Sequence, residues 1–300
     1  MKKSLLFLLL VWLMPALALA EGGMIAPFAE ATPEAKIAQA IADSISLPCA
    51  FTDEAESADA ANQMLSDPSL ILCDTQSVLA ASLQGYTDED LRAAMSPLFQ
   101  AARSPLVLVM DKEAAASFGI TDAESFLAYI QENEYSFLLA RHINADAIDR
   151  ASTLLSNELP LLTDYFLPEE VLPSLHAGDV QAGIIDAARL TEAADKELLL
   201  LCTLGEERTQ LYPDLPCAAE LDMPVCQDVF LGLYMQNSGD QALIEKARAL
   251  LSASDLEQTL LPLGYVFSPL DQAAFDQQVR DTFADYKRYM TAEGLFFYEE

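Results

Sequence analysis

Pro105-Leu106-Val107-Leu108-Val109-Met110 places five apolar residues in an unbroken row behind a proline. A strand with one wet face alternates apolar and polar residues, whereas a strand covered on both faces reads as a continuous apolar run. This run therefore predicts a buried strand inside a sheet with helices on both sides. The residues upstream fit that frame. Residues 24–28 read as a short strand, Thr32 as an N-cap, Pro33 as the first helical residue and Glu34 as a first-turn acid. Ile37, Ile41 and Ile45 then mark one helical face. Strands are expected at 47–51 and 69–73 with a helix at 58–65 between them, and Pro48 restricts the first of these strands to a start or an edge.

Downstream, a second series predicts a helix at 121–132, a strand at 136–140, and helices at 145–155 and 168–176. Strands follow at 180–185, 198–203 and 230–235, then helices at 241–251, 255–261 and 272–289. Short apolar runs alternating with helical segments define the α/β class. Two such series suggest two lobes joined by crossings near 105–112 and 226–236. One lobe comprises 21–110 and 228–300, the other 111–227. Lobes hinged in this way close around ligands.

Lys2 and Lys3 precede an apolar run ending in Ala18-Leu19-Ala20, the pattern of a secretory signal peptide cleaved after Ala20. A periplasmic location is expected on that ground. The chain has 47 acidic and 16 basic residues, a formal charge of -31. Such a surface repels a phosphate backbone, so nucleic acid is excluded as a partner, and an anionic membrane is disfavoured for the same reason. Five cysteines, Cys49, Cys73, Cys202, Cys217 and Cys226, form no CxxC pair. They read either as buried thiols or as a single disulfide, with Cys217 and Cys226 the closest pair.

The signatures GxxxxGK[ST], GxSxG, HExxH and DxDxDG do not occur. The acid clusters Asp88-Glu89-Asp90, Glu169-Glu170, Glu206-Glu207 and Glu299-Glu300 lack the spacing of converging calcium ligands and read as solvated loops or helix starts. Neither a metal, a cofactor nor a catalytic residue is expected, and the chain reads as a non-enzyme.

The segment Gly205 to Pro224 follows the strand at 198–203 and contains Arg208, Pro213-Asp214, Pro216 and Glu220, the pattern R-x4-PDxPxxxE. This pattern resembles the substrate-binding proteins of tripartite tricarboxylate transporters, the Bug-type periplasmic receptors. Pro27-Phe28 is similar to the family's "VPF". Leu106 to Val109 is similar to its crossing strand, and Tyr165 with the stretch Leu175 to Val180 to its "PYKG…LLGGQVD" region. Leu260, Leu263-Gly264, Ser268-Pro269 and Phe275 resemble "LxxLG…SPxxFxxF". The fragments occur in the family's order over most of the chain.

The resemblance implies a type II, periplasmic-binding-protein-like fold with a hinge and an interlobe cleft. It also implies a monomer that binds a small organic acid through backbone N–H groups and delivers it to a membrane permease. Carried over by position, the ligand contacts would be Phe28, Ala29, Glu30 and Thr32 in the first loop and Asp74 and Thr75 after the third strand. The second lobe would add Arg141, His142 and Tyr165.

The loops depart from the family where binding is made. Its "AGGGTD" is replaced by Glu30-Ala31-Thr32-Pro33-Glu34-Ala35, so a proline deletes a donor and two acids face the ligand. Its "YGSSGNGS" becomes Leu139 to Asp146. Arg141 then reads either as a bidentate carboxylate ligand or as an exposed arginine paired with one of many acids. Glu30 and Glu34 suit an amine-bearing or zwitterionic solute better than a dicarboxylate. The rival expectation is a receptor-derived interaction or sensory protein that has lost small-ligand binding.

Overall fold

The computed structural model describes residues 23–51, 70–85, 95–143, 146–193, 196–236, 241–250 and 255–295. The expected leader, the helix at 58–65 and the acid clusters at 88–90 and 299–300 lie outside the described residues. The chain begins with β1 (Met24–Ala26), α1 (Pro33–Ser44), β2 (Cys49–Phe51), β3 (Leu70–Asp74), α2 (Thr75–Leu83) and β4 (Met95–Ser104). Next come β5 (Leu106–Asp111), α3 (Lys112–Ser117), α4 (Ala123–Glu132), β6 (Leu138–His142), α5 (Ala147–Glu158) and β7 (Leu162–Phe166). They lead into α6 (Val171–Ala177), β8 (Gly183–Asp186), α7 (Ala187–Ala193) and β9 (Leu198–Thr203). The last elements are β10 (Val229–Gln236), α8 (Gln241–Ala249), α9 (Asp255–Leu260), β11 (Val266–Leu270) and α10 (Gln272–Glu293).

The described residues form three sheets: one of order β11-β4-β10-β3-β1-β2, one of order β8-β5-β9, and the β6-β7 pair, which a bridge between Leu139 and Ala182 attaches to the second so that the two act as one layer, called the second sheet below. Strand β5 is central, and its residues divide by parity. Leu106, Leu108 and Met110 enter one core, while Val107 and Val109 enter the core on the opposite face. The same division holds for β3, with Leu70 and Leu72 on one face and Ile71 and Cys73 on the other. Coverage of both faces is why these stretches are apolar without alternation.

The first crossing occupies a single residue. Ser104 pairs with Val229 in the first sheet and Leu106 with Asp186 in the second, so the chain changes sheets at Pro105. The expected boundary at residue 110 lies five residues further on, because all of β5 pairs within the second sheet. The second crossing returns through Cys226, whose N–H donates to Leu204 O at 2.7 Å, and Asp228. Gln76 clamps this return: its Nε2 donates to Asp228 O at 2.6 Å and its Oε1 accepts from Phe230 N at 3.0 Å.

Strand β4 was not expected, since Pro97, Gln100 and Arg103 break its apolar pattern. The fold accommodates each of them, Arg103 by a pair with Asp228 at 3.5 Å. Pro97 lies opposite Tyr234, beside a register shift where a missing N–H is tolerated. Gln100 is buried, with Nε2 donating to Ser268 O at 2.7 Å and Oε1 accepting from Gln278 Nε2 at 2.7 Å. Helix α10 runs four residues beyond its expected end, to the left-handed Gly294. All five cysteines are free, and Cys217 and Cys226 instead donate to Glu206 O and Pro224 O.

Candidate functional site

Strands β3, β6 and β8 end at the sites where open α/β sheets place ligands, and each end is followed by a helix capped by a carboxylate. Asp74 Oδ1 accepts from Gln76 N and Ser77 N, and Asp74 Oδ2 accepts from Ser77 Oγ at 2.6 Å. Asp146 Oδ1 accepts from Asp149 N at 2.9 Å, and Asp186 Oδ1 from Arg189 N at 3.0 Å. These helix N-termini therefore already hold anions of the chain's own. Burial pushes the Asp74 carboxyl up to about 6, and the charge of Asp146 adds to the rise although the caps oppose it. Asp186 is also raised by burial, with Arg189 opposing and Glu34 reinforcing. The first and second sheets thus bring acids into one electrostatic neighbourhood.

Arg141 pairs with two further acids. Nε donates to Asp149 Oδ1 at 2.8 Å and Nη1 to Glu293 Oε2 at 3.2 Å, while the guanidinium lies 4.7 Å from the centre of the Tyr165 ring. Burial works against the Arg141 charge, but Asp149, Tyr165 and Glu293 together outweigh it and strengthen protonation. Asp149 is itself raised by burial despite Arg141 and the Tyr289 hydroxyl, which donates to its Oδ2. Glu293 and Tyr289 come from α10, whose other half packs Phe275 and Val279 into the first sheet's core. One helix therefore reaches from the first sheet to the second. Arg150 reinforces the link, donating to both Asp285 oxygens at 3.0 and 3.1 Å.

The residues expected at the ligand fall into three groups. Arg141, His142 and Tyr165 stand together, and His142 Nδ1 meets Asp146 Oδ2 at 2.7 Å. Since a carboxylate accepts, Nδ1 carries the proton. Asp74 makes its own bonds to Gln76 and Ser77, and the charge of Asp146 helps to raise its carboxyl. Thr75, by contrast, turns its hydroxyl into the core, 2.8 Å from Tyr234 Oη. In the first loop Ala29 and Glu30 are exposed, Phe28 packs against the first core, and Thr32 closes the turn. Its Oγ1 donates to Ala29 O at 2.9 Å and accepts from Ala35 N at 3.2 Å. Glu34, expected to face the ligand, accepts from Tyr265 Oη at 2.7 Å.

Arg141 is buried rather than exposed, and it is paired. Asp186 escaped the sequence reading, yet an apolar run ending in aspartate before a helix is the same pattern that marked Asp74. Asp149 had the signal of an acid three residues after a capping aspartate. Tyr289 and Glu293 reach the site from far along the chain and had none.

The motif R-x4-PDxPxxxE folds on itself. Arg208 Nε donates to Glu220 Oε2 at 2.9 Å and Nη1 to Pro213 O at 3.2 Å, while Glu220 Oε2 accepts from Cys217 N at 3.0 Å. The backbone bond from Cys217 and the Arg208 bond hold the Glu220 carboxyl below its usual range. This exposed staple shapes a loop. A separate groove of about 630 Å³ runs beside α10, between Ala147, Arg150, Gln227, Asp281 and Tyr286, and none of the nine expected residues lines it. Among the described residues no group of histidine, cysteine and acid side chains converges on a metal position.

No protein-family model and no curated protein matches the chain. Solved structures do. A TctC solute-binding protein from Polaromonas, solved without ligand, superposes with a TM-score of 0.71 at 16% identity, covering 90% of this chain and 98% of that one. The periplasmic binding protein BugD gives 0.69 at 15%, covering 92% and 98%. MatC from Rhodopseudomonas palustris, with bound malate, gives 0.67 at 18%, covering 89% and 98%. Coverage is nearly complete on both sides while identity stays low, so the likeness lies in the architecture. The chain has the two-lobed α/β fold of periplasmic solute-binding proteins of the TctC and Bug type.

Proposed function

We propose that the protein is an extracytoplasmic, non-catalytic solute receptor. It closes residues 23–104 with 228–295 against residues 106–227 on a small organic acid or related polar metabolite, and it delivers that solute to a membrane permease. The observation that carries the reading is Arg141, buried beside Tyr165 and reaching across to Glu293 on α10, a helix packed against the first sheet, in a chain that passes between the sheets at Pro105 and returns near Asp228. A fold with those crossings can open by small backbone changes at Pro105 and around Gln227. The structures it resembles include one holding malate, and a carboxylate is the natural ligand of a buried guanidinium. Export by a leader ending at Ala20 supplies the compartment.

A second reading has its own support. Arg141 already has Asp149 and Glu293 as partners, as expected of a receptor-derived interaction or sensory protein that has given up small ligands. Thermal unfolding of the mature chain against a library of organic acids, amino acids and amines separates the two. A ligand present at 100 times its Kd adds about 2.7 kcal/mol of apparent stability, so a receptor shows a concentration-dependent rise in Tm with at least one solute. A flat response across the library overturns the receptor reading.

A further inference from the structure

Strand β7 is a free edge of the second sheet. It pairs in parallel with β6, and among the described residues no strand lies on its other side. Two backbone bonds fix which way its groups point: Leu162 N donates to Phe137 O at 2.9 Å, and Phe166 O accepts from Ile143 N at 3.1 Å. Along a parallel ladder, alternate residues turn their N–H and C=O to the same neighbour. Leu162, Asp164 and Phe166 therefore bond inward to β6, while Thr163, Tyr165 and the extended Leu167 turn their backbone groups outward. Two of those outward donors are held by the chain's own acids. Tyr165 N donates to Asp164 Oδ1 at 2.8 Å and Leu167 N to Glu170 Oε2 at 3.1 Å.

An edge that stays in water is ordinarily blunted by charge and kept poor in large apolar side chains. This edge has the charge without the depletion. Among the described residues seven large apolar side chains are at least 37% exposed, and five of them, Tyr135, Ile143, Leu162, Tyr165 and Leu167, gather here. Leu162 and Tyr165 belong to β7 and Leu167 follows it, Ile143 is bonded to its last residue, and Tyr135 N donates to Pro160 O just before it at 2.9 Å. Single exposed apolar residues are normal, whereas a concentration of them marks an interaction surface. The two faces of the edge differ in kind: Asp164 shares one with Leu162, and Tyr165 with Leu167 occupies the other.

We propose that the outer edge of β7 docks an extended segment of a partner protein as an added strand, and that basic and apolar residues alternate along that segment. The incoming backbone takes Tyr165 N and Leu167 N in place of Asp164 and Glu170. Its apolar side chains cover Tyr165 and Leu167 on one face. Its basic side chains meet the released Asp164 on the other and lay their aliphatic stems over Leu162. A second copy of this chain is the wrong occupant, because β7 paired with itself would bring Asp164, Glu169 and Glu170 against their own equivalents in a molecule of formal charge -31. The inference holds for either reading of the function above.

The test uses the mature chain and a labelled, end-blocked peptide in which lysine and valine alternate. Two control peptides accompany it, one with glutamate in place of lysine and one with the same lysines and valines arranged as two blocks. Fluorescence anisotropy reads binding, and hydrogen exchange reads the backbone amides. The alternating peptide is expected to bind and to slow exchange at Thr163, Tyr165 and Leu167, with both controls at least about tenfold weaker. Thr163→Pro removes an outward donor without touching the ladder to β6, as edge strands allow, and should weaken binding about tenfold. Leu167→Ser, at an exposed side chain, should weaken it about threefold with Tm unchanged. The inference is overturned if the alternating peptide does not bind, if the block peptide binds equally well, if exchange at the three amides is unaltered, or if neither substitution weakens binding. Concentration-dependent dimerisation of the mature chain that Thr163→Pro abolishes also overturns it, since the occupant is then a second copy.

Discussion

Asp74 shows how a buried charge costs the fold. Its carboxyl is raised from 3.8 to about 6, chiefly by burial. In that interval the folded chain holds a proton that the unfolded chain has released, so stability falls as pH rises from about 4 to about 6 and stays lowered above it. Asn caps helices as well as Asp. Asp74→Asn is therefore expected to stabilise the protein by ~1–3 kcal/mol at neutral pH. It should also flatten the pH dependence between about 4 and 6 relative to the parent, as read by urea denaturation across that range. A parent and variant with parallel pH profiles would refute this account of Asp74. Gln76, two residues on, works in the opposite sense. Its amide satisfies both Asp228 O and Phe230 N, so Gln76→Leu leaves two backbone groups of the return crossing unpaired in a buried place. The expected loss is ~2–4 kcal/mol, seen as a lower urea midpoint without a change of slope.

At the scale of elements, the sequence was legible where one physical signal dominated. The unbroken run after Pro105 announced a doubly covered strand, and Thr32-Pro33-Glu34 announced a helix start that the structure shows with Thr32 as cap. Strand β4 was hidden in part because its buried Gln100 is satisfied by partners 168 and 178 positions away, which no local pattern reports. The site was half legible for the same reason. Arg141 and Asp74 stand at strand ends and were named because the family resemblance carries ligand loops to those positions, whereas Glu293 and Tyr289 arrive on a helix 22 residues long, at about 1.5 Å per residue, that spans both sheets. The turn before β11 makes a second tie between the sheets. Gly264 has φ +77°, and a Cβ there would lie 2.4 Å from Ala187 O at the start of α7. Backbone cannot yield as a side-chain tip does, and a left-handed alanine is itself strained. Gly264→Ala is expected to destabilise by at least ~2 kcal/mol. Its effect should exceed that of an alanine at left-handed Gly178, where a Cβ meets nothing within 4 Å, and comparison of the two denaturation midpoints checks this.

For the molecule as a whole the dominant quantity is a formal charge of -31. Repulsion among so many like charges raises the free energy of the compact state more than that of the expanded one. Against it stand the interlobe pairs Arg141–Glu293 and Arg150–Asp285 and a set of exposed pairs such as Arg208–Glu220 and Arg280–Asp276. Exposed pairs contribute ~0–1 kcal/mol each, too little to offset a surplus of acids this large. Salt acts on both terms, but the repulsion is summed over long distances and is screened first, since the Debye length is about 10 Å at 0.1 M. The Tm is therefore expected to rise between ~10 mM and ~0.3 M sodium chloride, most steeply at the low end, with potassium chloride giving the same curve. A scan of Tm along a salt series measures this. If Tm fell with salt, attraction between the lobes would outweigh repulsion, and the pairs made by α10 would be the dominant electrostatic contribution to stability.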